Sequence, residues 1–151
     1  MHKTIISDTS CFIILTNIGE LDLLRKVYGQ VTTTVEIAQE FGESLPDWVE
    51  IVEVKDKSRQ QLLEIQIDKG ESSAIALALE IPDSILIIDD LKARTIARQL
   101  NINFTGTLGV IIKAKREGKI LSVKSILEKL KQTNFRLSPE VENEVMFLAG
   151  E

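Results

Sequence analysis

Two short apolar runs of the chain are each followed by carboxylates. Residues 4–7 precede Asp8, and residues 85–88 precede the pair Asp89 and Asp90. Short aliphatic and β-branched runs bounded by polar residues are typical of buried parallel strands, and ligands bind at the carboxyl ends of such strands. Carboxylates gathered at that edge concentrate negative charge, which a cation must offset. The spacing therefore predicts a divalent-cation site.

The composition indicates a globular protein that can bind a metal through carboxylate oxygens but has few nitrogen or sulfur ligands. The chain has 151 residues, of which 44% are hydrophobic and 27% charged, so we expect one domain spanning 1–151 with its own core. Its one cysteine, Cys11, fits a reducing cytoplasm, and we find no signal-peptide or membrane-spanning pattern. Its one histidine, His2, lies at the chain start, which argues against histidine catalysis and zinc. A metal held by oxygen would be Mg²⁺ or Mn²⁺.

The charge of the chain is unevenly distributed. The net charge is −5, yet residues 113–136 contain eight basic and two acidic residues and carry +6. Such a stretch on an acidic protein can contact phosphates, or it can be an ordinary solvated helix surface. Composition leaves both interpretations open.

Strand-like and helix-like segments alternate along the chain. We predict strands at 4–7, 31–33, 49–54, 85–88 and 102–104, with 49–54 at the outside of the sheet because its apolar and acidic residues alternate. The predicted helices include 34–41, 58–67, 71–80, 91–100, 107–115, 123–132 and 139–148. This alternation predicts a three-layer α/β/α domain with a parallel sheet of about five strands.

Each acidic candidate also has an ordinary helix-end explanation. Asp8 can cap the following helix, although Thr9 and Ser10 are adjacent cap candidates. Glu71 falls in a first helical turn, where the helix dipole favours an acid. Glu40 falls in a last turn, where the dipole disfavours it, and so indicates function more clearly than Glu36.

The turn Thr105-Gly106-Thr107 follows a predicted strand and opens a helix. Its backbone N–H groups and hydroxyls can bind an anion, or the turn can be a simple helix cap.

These motifs, in this order, resemble the PIN domain, and in particular a prokaryotic subfamily related to VapC-type toxins. The resemblance covers nearly the whole chain. It is carried by residues 5–10 (IISDTS), 34–40 (TVEIAQE), 70–78 (GESSAIALA), 86–94 (LIIDDLKAR), 105–110 (TGTLGV) and 113–115 (KAK), with tail patterns at 123–130 and 135–148.

The resemblance implies a sheet order of 3-2-1-4-5, which makes the strands before Asp8 and Asp89 neighbours. It implies a catalytic set of Asp8, Glu40, Glu71 and Asp90, with Mg²⁺ or Mn²⁺ held by Asp8, Glu71 and one of Asp89 and Asp90. It implies polar contacts to the substrate from Thr9 or Ser10 and from the turn of Thr105, Gly106 and Thr107. Basic residues near the site are candidates to hold the nucleic-acid backbone: Lys92, Arg94, Arg98 and Lys113. Glu71 stands where many toxin relatives have aspartate.

The implied activity is metal-dependent hydrolysis of single-stranded RNA, with a homodimer and a small cognate antitoxin as expected partners. Phe12, Ile13, Leu21 and Leu24 are candidates for such contacts, although most of them fit an ordinary core better. A second hypothesis is a non-catalytic PIN relative that binds nucleic acid or protein. A phosphatase with an aspartyl nucleophile ranks lower, because Ser10 stands where a second aspartate is typical.

Overall fold

A computed structural model describes residues 3–151, so His2 lies outside the described residues. Within this range five parallel strands form one sheet in the order β3-β2-β1-β4-β5, which confirms the predicted topology. The strands are β1 Thr4–Ser7, β2 Val31–Thr34, β3 Val49–Val52, β4 Ser84–Ile87 and β5 Phe104–Thr105.

Helices flank the sheet on both faces, as expected for a three-layer α/β/α fold. In the described residues they are α1 Thr9–Asn17, α2 Asp22–Tyr28, α3 Val35–Phe41, α4 Lys57–Leu63, α5 Lys69–Glu80, α6 Leu91–Gln99, α7 Thr107–Arg116, α8 Val123–Lys131 and α9 Pro139–Leu148. Helix α5 packs on β1, β2 and β4, while α7 packs on α2 and carries α8 and α9.

The central pair of strands positions the predicted site. Strands β1 and β4 run in register from Thr4 opposite Ser84 to Ser7 opposite Ile87, so they end at the same level. The Asp8 N–H then donates to the Ile87 carbonyl at 3.0 Å. The acidic residues that follow the two strands therefore leave the sheet side by side, at the point where the strand order reverses.

The aliphatic residues that predicted the strands are buried in the core. Ile6 and Leu86, which face each other across β1 and β4, are both fully buried, as are Phe12 and Leu24 on the flanking helices. Phe12 and Leu24 thus belong to the core, whereas Ile13 is 42% exposed.

Several predicted boundaries were wrong by a few residues. Strand β5 begins at Phe104 rather than 102, β3 ends at Val52, and α4 ends at Leu63. Helix α5 begins at Lys69 rather than at Glu71, because Asp68 caps it. The N-cap of α1 is Asp8, so Thr9 and Ser10 do not serve as its caps.

Acids from other parts of the chain offset part of the positive charge of residues 113–136. Three lysines of this stretch pair with acids outside it: Lys115 with Glu151, Lys129 with Glu20 and Lys131 with Glu142. Lys113 pairs with Glu117 inside the stretch at 3.0 Å. Among residues 3–151, every helix is too short or too polar to cross a membrane.

Candidate metal centre

Asp8 is the most perturbed carboxylate of the described chain. It is 2% exposed, and its Oδ1 atom has no hydrogen-bond partner. The pKa of Asp8 is raised from 3.8 to about 7, mainly by burial and also by the charges of Glu71, Asp68 and Glu40, against a lowering effect of the Thr9 backbone N–H. A buried acceptor without a donor is costly, so Asp8 Oδ1 is suited to binding a cation or a proton.

Glu71 lies in the first turn of α5 and is held there by a capping box. Its N–H donates to Asp68 Oδ1 at 2.8 Å, and the Asp68 N–H donates to Glu71 Oε1 at 3.4 Å. Burial raises the pKa of Glu71 from 4.5 to about 7, with further contributions from Asp68, Asp90 and Glu40. Glu71 therefore serves both as part of a helix cap and as a member of the acidic group, by which we mean Asp8, Glu40, Asp68, Glu71 and Asp90.

Glu40 reaches the same group from α3. A Cβ atom added to Gly70 would lie 3.0 Å from Glu40 Oε1, so the Glu40 carboxylate rests against the first turn of α5. A hydrogen bond of 2.6 Å between the Thr34 and Ser73 hydroxyls ties the start of α3 to α5. This contact fixes how the two helices present their acids.

The structure separates Asp90 from Asp89. One carboxylate oxygen of Asp90 accepts from the Ala93 N–H at 2.9 Å and caps α6, while its charge raises the pKa of Glu71. Asp89 instead accepts from the Thr107 N–H at 2.8 Å and from the Thr107 hydroxyl at 2.6 Å. Asp90 thus joins the acidic group, and Asp89 joins β4 to the start of α7. A metal-ligand role for Asp89 stays a prediction.

Asp68 is the acid that the sequence reasoning missed. It falls between the predicted helices 58–67 and 71–80, yet its charge raises the pKa values of both Asp8 and Glu71. The signal was present in the spacing, since an aspartate three residues before a glutamate forms a capping box at a helix start.

Arg94 organises the side of the site next to Asp89. Its Nε donates to the Ile88 carbonyl at 2.8 Å, its Nη2 lies 3.8 Å from Asp89 Oδ1, and its guanidinium stacks 5.5 Å from the Phe104 ring centroid. A Cβ atom on Gly106 would lie 1.9 Å from Arg94 Nη2. Glycine at this position therefore leaves the space that Arg94 occupies.

The other predicted substrate contacts differ in burial and in the element that carries them. Thr9 is buried next to Asp8 and its hydroxyl has no partner, while Ser10 is partly buried. Lys92 is exposed on α6, Thr105 ends β5, and Lys113 lies farther along α7.

The competing acid Glu36 is held apart from this group. Its Oε2 pairs with Lys57 at 3.3 Å and accepts from Gln60 at 2.8 Å.

The carboxylates of the acidic group are ligands of the type that a hard cation prefers, but their present spacing is too wide to hold one ion. All its donors are carboxylate oxygens, the ligands that Mg²⁺ prefers, and Asp8 offers an unpartnered oxygen. Within residues 3–151, however, no three Asp, Glu, His or Cys side chains are close enough to hold one ion. Side-chain rotations that bring the carboxylates together become favourable only when a cation offsets their repulsion.

The fold and the site define a class before any relative is considered. A parallel sheet with carboxylates from four chain segments at its switch point is an α/β protein built to bind a polar, cationic or phosphate-bearing ligand there.

The family model DUF3368, described as a PIN domain, matches residues 4–151, and the chain therefore belongs to this PIN-domain family. PIN domains are generally nucleases, and these nucleases typically use divalent metals. No curated protein and no solved structure matches the chain.

Proposed function

We propose that this protein is a Mg²⁺- or Mn²⁺-dependent endoribonuclease that hydrolyses phosphodiester bonds of single-stranded RNA. The observation that carries the proposal is Asp8, a buried carboxylate with an unpartnered oxygen beside the charges of Glu40, Asp68 and Glu71. Ordinary folding does not require such a group, whereas a cation-dependent hydrolase does. Its PIN-domain membership supports the nuclease class.

The roles of the residues follow from where each lies. Asp8, Glu71 and Asp90 would hold the cation, and Glu40 and Asp68 would add negative charge around it. A bound divalent cation lowers the pKa of water and offsets charge on a phosphate. Asp8 and Glu71 must be ionised to serve, so their raised pKa values make binding of the cation release protons.

The start of α7 is placed to orient the scissile phosphate. Thr107 is fixed by its two hydrogen bonds to Asp89, and the Thr9 hydroxyl has no partner. Lys92, Arg94 and Lys113 would contact flanking phosphates, together with Ser10 and Thr105. No protein nucleophile is required for this hydrolysis.

One observation favours a second function, a non-catalytic module that binds nucleic acid or protein. The described residues do not present three potential ligands at ion-binding distance. If the carboxylates cannot come close enough to bind a cation, the protein keeps the PIN fold but has no hydrolase activity. Calorimetric titration with Mn²⁺ separates the two functions, because only the nuclease binds the ion.

Cleavage of a labelled single-stranded RNA tests the proposal. We expect cleavage with Mn²⁺, none with EDTA, and none with Asp8→Asn. The matched control is Asp47→Asn, which changes an exposed acid in the turn before β3 and leaves cleavage intact. Cleavage by the wild type in EDTA, or by Asp8→Asn with Mn²⁺, would contradict the proposal.

We further propose that the protein acts as the toxin of a toxin–antitoxin pair and forms a homodimer. The support is its resemblance to toxin-related PIN proteins. Light scattering after size exclusion measures the dimer, and a small open reading frame beside the gene is the expected antitoxin.

A further inference from the structure

A cavity of about 590 Å³ lies between the sheet and helices α2 and α7, at the opposite end of β1 and β4 from the acidic group. Its apolar walls come from Ile5 and Ile85, which are neighbours across the two strands, and from Val27 on α2. Tyr28 adds an aromatic ring. The volume suits a small planar group rather than an extended chain segment.

The cavity adjoins a second cavity that reaches Asp89, the residue next to Asp90 of the acidic group. A second cavity of about 500 Å³ shares Phe104, Thr105 and Gly109 with the first and extends to Asp89 and Gly106. The two cavities follow the open edge of β5, which has only two residues. The length of the path is about 17 Å, the rise of the five residues from Lys3 to Asp8.

Polar groups around the first cavity retain free hydrogen-bonding capacity. In the described residues the Tyr28 hydroxyl and the Asn103 amide make no side-chain hydrogen bond, and Asn103 is exposed at the rim. Burial raises the pKa of Tyr28 to about 12, so its hydroxyl stays protonated. Lys3 and Lys113 provide positive charge at the rim. Each is partly balanced, Lys3 by Asp83 at 4.0 Å and Lys113 by Glu117, which also lines the cavity, at 3.0 Å.

We propose that this cavity binds an unpaired nucleobase of the RNA substrate, a role that rests on the nuclease function proposed above. A base has two apolar faces and a polar edge, which match the apolar walls and the Tyr28 and Asn103 groups. Lys3 and Lys113 contact the phosphates on either side. A base inside a duplex cannot enter, because it is stacked and its edge is paired.

The second cavity guides the strand from the base toward Asp89, beside Asp90 of the acidic group. The Arg94 guanidinium lines it and lies over the Phe104 ring, 5.5 Å from the ring centroid. A guanidinium so held can contact a phosphate or stack on a base. The cavity therefore selects single strands by requiring one base to leave the stack before the scissile phosphate reaches Asp8.

Binding without cleavage tests this cavity. In EDTA, the wild type should bind a fluorescent single-stranded RNA more tightly than the same RNA annealed to its complement. Val27→Phe, which fills the cavity, should weaken single-strand binding about fivefold or more, the effect of losing one stacked base. Lys113→Gln should weaken it as well. The matched controls Val141→Phe and Lys119→Gln change residues outside the cavity and should bind like the wild type.

Photo-crosslinking supplies a second measurement that does not depend on a folded variant. Single-stranded RNA containing 5-iodouridine, irradiated with the wild-type protein, should attach to Tyr28 or Phe104, as mapped by mass spectrometry. Crosslinks elsewhere, equal binding of the duplex, or full binding by Val27→Phe would overturn the cavity proposal. Mn²⁺-dependent cleavage with no role for the cavity would leave the nuclease proposal intact, and cavity-dependent binding without cleavage would overturn only the nuclease.

Discussion

Replacing Asp8 with Asn should make the metal-free protein more stable at pH 8. Burial raises the pKa of Asp8 from 3.8 to about 7, so the folded state opposes ionisation of this carboxyl. This difference in pKa between the unfolded and folded states corresponds to about 4 kcal/mol of stability lost when the group is charged. The amide of Asn carries no charge, but its unpartnered polar atoms cost about 1–3 kcal/mol. The net gain should be about 1–3 kcal/mol.

The raised pKa of Asp8 determines the pH range in which the stabilities of the wild type and Asp8→Asn differ. Below pH 3.8 the carboxyl is protonated in both states and costs nothing, and the full penalty applies only above the folded pKa of about 7. The stability of the wild type relative to Asp8→Asn should therefore fall as pH rises between these values. Glu71 contributes in the same direction but less, because it is only half-buried and solvent screens its charge.

Thermal unfolding in EDTA, measured across this pH range, gives the result directly. The gain at pH 8 should appear as a rise in Tm of about 2–12 °C. Near pH 4, where the charge penalty of Asp8 is gone and only the cost of the Asn amide remains, Asp8→Asn should be no more stable than the wild type. Asp47→Asn, at an exposed position, should show no such pH-dependent difference. Saturating Mn²⁺ should raise the Tm of the wild type and not that of Asp8→Asn. A variant less stable than the wild type at pH 8, or a difference that does not change with pH, would refute the reasoning.

Three further outcomes are expected. Thr107→Val should lower the free energy of unfolding by about 1–3 kcal/mol in urea titrations, because Asp89 Oδ2 loses its donor at 2.6 Å, whereas Thr107→Ser should not. Asp68→Asn keeps a side-chain acceptor for the cap and removes a charge, so NMR titration should show a lower pKa for Glu71; an unchanged pKa would contradict the grouping of these acids. Binding of single-stranded RNA should weaken as salt rises, with a linear log–log slope, and a salt-independent affinity would argue against phosphate contacts.

The sheet and its order could be predicted because local and global preferences agree. The run before Asp89 is aliphatic, β4 is an interior strand of the sheet, and buried parallel strands require such a run on both faces. Strand β3 could be placed at the edge from its alternation of apolar and acidic residues, and the strand order confirms this position. Boundaries were less predictable, because Asp68 extends α5 by two residues through a cap that depends on side-chain geometry.

The division of roles between Asp89 and Asp90 could not be predicted from the sequence. It depends on Thr107, which lies 18 residues after Asp89 and donates to it twice. No short-range pattern contains that pairing. The basic stretch of 113–136 has the same difficulty, since Lys129 finds Glu20 at 3.4 Å from a distant part of the chain.

Helix caps and catalytic acids cannot be told apart by position alone in this protein. Asp68, Glu71 and Asp90 all accept cap hydrogen bonds, so an ordinary structural explanation is sufficient for each of them. Asp8 also occupies an N-cap position, yet its side chain makes no cap hydrogen bond and leaves Oδ1 buried without a partner. A residue that served only as a cap would turn its carboxylate to the free N–H groups of α1 and lower its own energy. The cost of leaving Asp8 Oδ1 unpartnered is therefore the strongest structural reason to assign a cation to this edge of the sheet.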